Sequence, residues 1–313
     1  MHLRRISRCL VPFSAVLFFA CGCLPCATAQ SCGNRGFAVQ VLGSGGPDLR
    51  DKRASSSYLV WEKGKALVLI DAGGGSALRF GESGAEMSQL KAILLTHFHA
   101  DHSSDLPSLI LSSRLEGRKL PLPVFGPPGN AAFPSTTEFL DDLFGKSHGA
   151  WRYMGPRVVG RQPYLLQPHN VIAGDTPIRV FRSGDLSMDA VRTNHGRAPA
   201  LAWRVEIDGK RIVFSGDTGG DGNSLRRLAE NADLFIAHNA TSRFSDPATL
   251  AILMPPSLIG QIAADAHVKR LVLSHRMEET LGKEHEAQTS EDIKKQFRGP
   301  LEFANDLDCF SLY

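Results

Sequence analysis

The feature that most constrains this chain is a run of imidazole and carboxylate side chains directly after one apolar segment. Residues Ala92–Thr96 predict a strand buried on both faces, and His97, His99, Asp101 and His102 follow it. Because the chain leaves its sheet there, closely spaced side chains can turn toward one point. Imidazole and carboxylate groups suit Zn²⁺ and related divalent ions. Four such groups within six residues exceed one tetrahedral shell once distal ligands are added, so the run predicts two metals. The alternative interpretation is a histidine-rich surface loop.

Three further candidate ligands each lie within two residues of the end of a predicted strand. They are His195, Asp217 and His275. Any one of them alone reads as an ordinary loop residue. Together with the run after Ala92–Thr96 they give four strand ends that carry ligand groups, a combination that chance rarely produces. The sequence therefore predicts one shared site.

Short apolar runs alternate with turn residues along the rest of the chain, in two halves that each mix strands with helices. Residues 121–128 are proline-rich and read as an edge strand plus a turn, and residues 145–168 read as an irregular loop able to cover a site. The predicted fold class is α/β, with two packed sheets covered by helices. The predicted strands are Phe37–Leu42, Ser57–Trp61, Ala66–Ile70, Ala92–Thr96, Ile178–Phe181, Ala190–Thr193, Ala200–Ile207, Arg211–Ser215, Leu234–Ala237 and Leu271–Ser274, and the predicted helices are Leu106–Arg114, Thr136–Phe144, Ser224–Glu230 and Ser257–His267.

The first residues have the composition of a secretory signal peptide. Arg4, Arg5 and Arg8 form a positive region, Leu10–Ala20 is a short apolar stretch, and Ala27–Ala29 supplies the small residues that a signal peptidase accepts. The prediction is a signal peptide over residues 1–29, a single hydrolase domain over residues 30–313, and a periplasmic or secreted protein. The alternatives are a membrane anchor, through an uncleaved or a lipidated N-terminus.

Cleavage after Ala29 changes the charge and the cysteine count. Lys+Arg falls from 35 to 32, which equals the 32 Asp+Glu, so the charge balance gives no argument for a nucleic-acid partner. Only Cys32 and Cys309 remain, near the two ends of the mature chain and in an oxidising compartment. A disulfide between them is predicted, and two unpaired cysteines are the alternative.

The order and context of the candidate ligands resemble those of the metallo-β-lactamase superfamily, and the resemblance spans nearly the whole mature chain. Leu42–Gly45 and Leu69–Gly73 are similar to the opening strand-turn segments of that family. The resemblance implies an αββα sandwich, with a metal pair at one edge of its two mixed sheets. It assigns His97, His99 and His195 to one metal, Asp101, His102 and His275 to the other, and Asp217 as the bridge between them. Two Zn²⁺ ions per chain are expected, and Mn²⁺ or Fe²⁺ would fit the same ligands.

Such a metal pair lowers the pKa of a shared water, and the resulting bridging hydroxide attacks phosphorus, sulfur or a carbonyl carbon. Asp101 is expected to orient that hydroxide as well as to bind metal. Asp71 is interpreted as a residue that supports a ligand or holds a turn, rather than as a ligand itself.

Several segments point to a branch of the family. Asp217 argues against a true β-lactamase, which lacks a bridging aspartate. Ala232–Thr241 resembles a motif of ribonuclease Z-like enzymes, which makes His238 the candidate proton donor, although Asn239 stands where those enzymes carry Glu. The tRNA-gripping arm of those enzymes has no room in the 21 residues between His195 and Asp217. Residues 123–129 resemble the secreted arylsulfatase-like and phosphodiesterase-like members.

The sequence thus predicts an exported two-zinc hydrolase that acts on a phosphodiester, a phosphate ester or a sulfate ester. A ribonuclease Z-like nuclease and a thioester or lactone hydrolase are the alternatives among enzymes, and a metal- or ligand-binding module without turnover is the alternative outside them. The expected partner is a small anionic ester, with Arg152, Arg157 and Arg161 as candidate contacts or as a solvated basic loop. No membrane span is expected after signal cleavage, and a homodimer is left open.

Overall fold

The computed structural model describes residues 32–34, 36–155, 166–219 and 223–312. Within this part of the chain, two seven-stranded sheets carry the fold. The strands of the first are β1 (Phe37–Gly43), β2 (Ser57–Glu62), β3 (Lys65–Ile70), β4 (Ala92–Leu94), β5 (Leu122–Gly126), β6 (Leu166–Asn170) and β14 (Cys309–Leu312). The strands of the second are β7 (Ile178–Ser183), β8 (Leu186–His195), β9 (Ala198–Ile207), β10 (Lys210–Phe214), β11 (Leu234–His238), β12 (Leu271–Ser274) and β13 (Leu301–Phe303).

Both sheets are mixed. The first has the order β14-β1-β2-β3-β4-β5-β6, antiparallel from β14 to β3 and parallel from β3 to β6. The second has the order β13-β12-β11-β10-β9-β8-β7, antiparallel from β7 to β10 and parallel from β10 to β13. In each sheet the parallel strands therefore end at one common edge, where loops can collect side chains.

The described helices are α1 (Ser76–Glu82), α2 (Ala100–Ser103), α3 (Leu106–Leu115), α4 (Thr136–Phe144), α5 (Asn223–Leu228), α6 (Pro247–Leu250), α7 (Pro256–Asp265) and α8 (Lys283–Lys294). The start of α4 shows why this segment forms a helix where the sequence predicts one. Ser135 and Glu138 form a capping box, in which each side chain bonds the other's backbone N–H. Leu140 and Phe144, four residues apart, then bury one face of the helix.

Three apolar layers hold the elements together. Strand β2 shows the alternation that builds them: Tyr58 and Val60 point between the sheets, and Leu59 and Trp61 point to the helices outside. The layer between the sheets takes residues from both, whereas α1, α3 and α4 cover the first sheet and α5, α7 and α8 the second. Burial of apolar area at about 25 cal/mol per Å² drives this packing. The predicted αββα sandwich is confirmed.

Two predictions about the first sheet are wrong. Residues 121–128 do not form an edge strand, because β5 lies between β4 and β6. The edge strand on this side of the sheet is β6, in a stretch where the sequence predicts a loop. Of its five residues only Leu166 is buried, so β6 shows no apolar alternation. The rest of the predicted covering loop, residues 156–165 with Arg157 and Arg161, lies outside the described residues.

Helix α8 was not predicted, because its twelve residues are mostly polar and bury only Thr289, Asp292 and Ile293. The predicted disulfide is confirmed, and it joins Cys32 to Cys309 at the start of β14. No helix within the described residues is long and apolar enough to cross a membrane. The predicted signal peptide, residues 1–29, lies outside the described part of the chain.

Candidate metal centre

The predicted ligand residues meet at the common edge where the strands of both sheets end. His97 follows β4, and His195 is the last residue of β8. Asp217 and His275 follow β10 and β12, and His238 ends β11 between them. Because β10, β11 and β12 are adjacent and parallel, their ends deliver three of these side chains to one place.

The first group consists of His97, His99 and His195. The Nδ1 atom of His99 lies 3.0 Å from Nε2 of His97 and 3.3 Å from Nε2 of His195. Two ligands of a tetrahedral zinc, each about 2.1 Å from the ion, are about 3.4 Å apart. Nδ1 of His195 lies 2.9 Å from the carbonyl oxygen of Ile252, so it donates there and leaves the Nε2 lone pair facing the group.

The second group contains His102, Asp217, His238 and His275, whose ligand atoms lie within 4.8 Å of one another. Asp101 lies beside it, with Oδ2 3.2 Å from Nε2 of His275 and 3.5 Å from Nε2 of His102. Nε2 of His102 is buried and has no hydrogen-bond partner among the described residues. A buried, unpartnered imidazole nitrogen that faces carboxylate oxygens at about the ligand-to-ligand spacing fits a divalent cation.

Asp217 lies between the two groups. Its Oδ2 atom is 3.6 Å from Nε2 of His102 in the second group and 3.7 Å from Nε2 of His195 in the first. Its Oδ1 atom is 3.4 Å from Nε2 of His275. One carboxylate thus faces both sets of nitrogen atoms, as a bridging ligand would. The seven predicted residues are brought together, and their role as metal ligands stays a prediction.

His238 has both ring nitrogens engaged. Nδ1 is 2.7 Å from Oδ1 of Asp217, and Nε2 is 3.0 Å from the hydroxyl of Tyr58. Burial lowers the pKa of His238 to about 4, against the hydrogen bond to Asp217, so the ring is neutral. Because a carboxylate only accepts, Nδ1 carries the proton and Nε2 accepts from Tyr58. Tyr58 lies in β2 of the opposite sheet, and no sequence signal marked it as part of the site.

Asp71 acts as a support rather than as a ligand. Its Oδ1 accepts the backbone N–H of Thr96 at 2.7 Å, and its Oδ2 lies 2.8 Å from both the Thr96 hydroxyl and Nδ1 of His102. The bond to His102 fixes the tautomer that turns the free Nε2 into the site. This position agrees with the interpretation of Asp71 from the sequence.

Gly46, directly after the first opening strand-turn segment, and Gly73, at the end of the second, allow the backbone to approach the candidate ligands. A Cβ on Gly46 would lie 2.7 Å from Cε1 of His275, and one on Gly73 would lie 2.1 Å from the carbonyl oxygen of Asp101. Both positions therefore exclude larger residues. Asp71 and His275 themselves adopt left-handed backbone conformations, at φ 54° and 50°. Such conformations cost about 1–3 kcal/mol each and concentrate at functional sites.

The two groups differ in their electrostatics. Burial lowers the pKa of His97 well below its ordinary value, and the neighbouring His102 adds to this. For His102, burial is outweighed by the carboxylates of Asp217 and Asp71, which raise its pKa well above the ordinary value. The pKa of His275 is raised in the same way, by Asp217 and Asp101 against burial. The pKa of Asp101 is lowered to about 2, because the hydrogen bond from His275 and the charge of His102 outweigh burial.

Other residues singled out from the sequence lie outside this cluster. Arg152 is exposed on a short turn of helix after α4. Asn239 is buried beside His238, but its amide donates to the carbonyl of Thr241 and does not contact a ligand residue in any described contact.

Comparison with known proteins agrees with the fold. The model of a β-lactamase superfamily domain matches residues 67–276. A ribonuclease Z of Mycobacterium bovis (strain BCG / Pasteur 1173P2) is 28% identical over 280 residues, which cover 86% of this chain and 96% of the relative. The metallo-β-lactamase fold protein YhfI of Bacillus subtilis superimposes with a TM-score of 0.68 at 22% identity, over 88% of this chain and 98% of its own. The short form of human tRNase Z superimposes with a TM-score of 0.68 at 21% identity, over 88% of this chain and 99% of its own.

The matched model covers more than half of the chain and includes every residue of both histidine groups. The buried cluster of imidazoles and carboxylates has the spacing and the donor types of a divalent-metal site. The chain therefore belongs to the β-lactamase superfamily and is a metal-dependent hydrolase acting on ester bonds.

Proposed function

We propose that the protein is an exported hydrolase that uses two zinc ions to cleave a phosphodiester, a phosphate ester or a sulfate ester. The observation that carries the proposal is the place of Asp217, whose Oδ2 atom faces His102 at 3.6 Å and His195 at 3.7 Å. A pair of metal ions bound there would supply a water acidic enough to attack at neutral pH and would balance charge on the attacking and leaving oxygens.

The chain's own residues would then position the reactants. Asp101, with a pKa of about 2, is ionised at neutral pH and would accept a hydrogen bond from a water bound between the two groups. His238 donates Nδ1–H to the carboxylate of Asp217, and its Nε2 accepts from Tyr58. We retain it as the candidate proton donor; in that role the ring must first take up a second proton, since a neutral imidazole does not release its only N–H at neutral pH.

A ribonuclease Z-like nuclease is the second candidate. The likeness to the mycobacterial ribonuclease Z over 86% of the chain favours it, and a ribonuclease cleaves phosphodiesters. In this chain, however, β9 and β10 fill the interval between His195 and Asp217, so that interval holds no arm for tRNA. We therefore favour a small anionic ester as the substrate.

Export rests on two supports. Residues 1–29 have the charge and hydropathy pattern of a signal peptide. A disulfide such as that between Cys32 and Cys309 is typical of proteins in oxidising compartments, since cytosolic thiols are kept reduced, and this supports export. A periplasmic or secreted enzyme satisfies both.

The test is turnover by the zinc-loaded protein on a panel of chromogenic substrates. The panel contains bis(p-nitrophenyl) phosphate, p-nitrophenyl phosphate, p-nitrophenyl sulfate, a thioester and a lactone. Preference for the phosphorus or sulfur esters supports the proposal. Preference for the thioester or the lactone would replace it with that activity, and no turnover on any substrate with metals bound would identify a binding module.

A further inference from the structure

His275 differs from His102 and His195 in how its ring is held. Nδ1 of His102 bonds Asp71, and Nδ1 of His195 bonds the carbonyl oxygen of Ile252. Nδ1 of His275 is buried and has no hydrogen-bond partner among the described residues. A hydrogen bond on the second ring nitrogen normally orients a histidine that binds metal. The orientation of His275 therefore depends on another contact.

That contact is the turn Ser44–Gly46, which follows β1. The backbone of Gly46 lies so close to the imidazole that a Cβ there would be 2.7 Å from Cε1 and 3.1 Å from Nδ1 of His275. The carbonyl oxygen of Ser44 accepts the backbone N–H of Arg276, the residue after the candidate ligand, at 2.9 Å. The left-handed backbone of His275, at φ 50°, is one that a residue with a side chain keeps only when its surroundings hold it. The position of the turn thus decides where the ring points.

One carboxylate fixes this turn from its other side. Asp306 lies between β13 and β14, and its side chain is 12% exposed. Its Oδ1 accepts the backbone N–H of Ser44 at 3.1 Å and the hydroxyl of the same residue at 2.8 Å. Its Oδ2 accepts the backbone N–H of Ala54 at 2.9 Å and the Nε–H of Arg79 at 3.1 Å. Four donors, from three separate segments of the chain, thus converge on one carboxylate.

The segment that carries this carboxylate is bonded to both sheets. The backbone N–H of Ala304 donates to the carbonyl oxygen of Leu273 in β12 at 2.8 Å. The backbone N–H of Leu307 donates to the carbonyl oxygen of Val41 in β1 at 2.6 Å. The carboxylate is therefore held between the strand that leads to the candidate ligand and the strand that leads to the turn.

We propose that Asp306 is a positioning residue of the metal centre, which sets the place of His275 by holding the turn Ser44–Gly46 against its ring. It acts through Ser44 and binds neither metal nor substrate. Loss of this support weakens metal binding by the second group, which contains His275, and leaves the first group unaffected. The inference rests on the metal centre of the proposed function and is independent of which ester is cleaved.

Titration of the metal-free protein with zinc, in competition with a chromogenic chelator, tests the inference without turnover. The wild type should bind two zinc ions, and His275→Ala identifies the binding step of the second group, since it removes a ligand of that group only. Asp306→Asn keeps the size of the side chain, but the amide offers one acceptor oxygen to donors that face both carboxylate oxygens. We expect the zinc affinity of the second group to fall about tenfold and that of the first to stay within about twofold.

Asp233→Asn is the matched control. The side chain of Asp233 is 11% exposed, accepts the backbone N–H of Arg211 at 2.8 Å and lies 2.9 Å from Nζ of Lys269. These residues lie near the starts of β10 and β12, at the end of the sheet away from the metal centre. The control should destabilise the fold and leave both zinc affinities unchanged. A purely structural role of Asp306 would give that same result in Asp306→Asn.

Ser44→Ala decides the inference should Asp306→Asn not fold. This variant keeps the backbone of the turn and removes the hydroxyl that bonds Asp306 and Arg53. It should lower the zinc affinity of the second group severalfold. Unchanged affinity of that group in the folded variant, or an equal fall in both groups, would overturn the inference. A wild type that binds no zinc at the second group would instead overturn the two-zinc proposal, and the inference with it.

Discussion

Asp71 and His102, both fully buried, are joined by a contact of 2.8 Å between Oδ2 and Nδ1, and this contact sets which nitrogen of the histidine faces the metal centre. The carboxylate also accepts two hydrogen bonds from Thr96, so the aspartate ties the end of β4 to a ligand. A residue that orients a candidate ligand in this way affects the affinity for metal without binding the metal itself.

Asp71→Asn is therefore expected to lower zinc affinity about 10–100-fold, because the amide cannot accept both from Thr96 and from His102. The zinc affinity of the variant is measured from its zinc content after dialysis against a series of buffered free-zinc concentrations. Thermal unfolding of the metal-free protein is the control, since the lost side-chain hydrogen bonds of Oδ2 also destabilise the chain. Wild-type zinc affinity in a folded variant would show that Asp71 only holds the turn.

Asp217→Ala tests the bridging assignment. Because this carboxylate faces both groups, its loss should lower the amount of metal bound by each group. Hydrolytic activity should fall in parallel, by about a hundredfold or more. His275→Ala is the comparison, since it removes a ligand of one group only and should leave one metal bound. Full activity with normal zinc in Asp217→Ala would exclude a bridging role.

The residues of the candidate metal centre could be found in the sequence because they follow the ends of apolar runs, where a strand stops and its next side chains face the edge of the sheet. His97, His195 and His275 all follow this rule. Tyr58 could not be found, because its contact with His238 depends on how the two sheets pack face to face, which no local pattern encodes. The pairing of β14 with β1 also escaped prediction, because it joins residues from opposite ends of the chain that no local pattern relates.

The pH dependence of metal binding should differ between the two groups. A histidine binds metal only as the neutral imidazole, so a raised pKa means that a proton competes with the metal at a higher pH. The pKa values of His102 and His275 are raised, and those of His97 and His99 are lowered. As the pH falls from about 8 to about 5, the group of His102 and His275 should therefore lose its metal first.

The metal content of the protein, measured at fixed free zinc across this pH range, should fall in two steps, one for each group. His275→Ala should keep only the step at lower pH, and His97→Ala only the step at higher pH. Loss of both metals in one step, or loss in the opposite order, would contradict the assignment of these shifts to metal binding.

Tyr58→Phe tests the bond that spans the sheets. The variant keeps the ring packed but leaves Nε2 of His238 and the Ser274 hydroxyl, 2.9 Å from the tyrosine oxygen, without this partner. We expect the free energy of unfolding to fall by about 1–3 kcal/mol. Denaturant unfolding measures it, with Tyr153→Phe, an exposed tyrosine, as the control. Equal stability of the two variants would mean that the buried hydroxyl contributes nothing net.

The disulfide between Cys32 and Cys309 closes a loop across a sequence separation of 277 residues, so it constrains almost all of the described chain when it is unfolded. It also holds β14, a strand of four residues at the edge of the first sheet, against β1. Replacing both cysteines by serine should lower the free energy of unfolding by about 2–5 kcal/mol. A reductant should lower the free energy of unfolding of the wild type by the same amount and leave that of the double variant unchanged. If the reductant destabilised both proteins equally, the effect would not come from this bond, and the bond would give no support for an oxidising compartment.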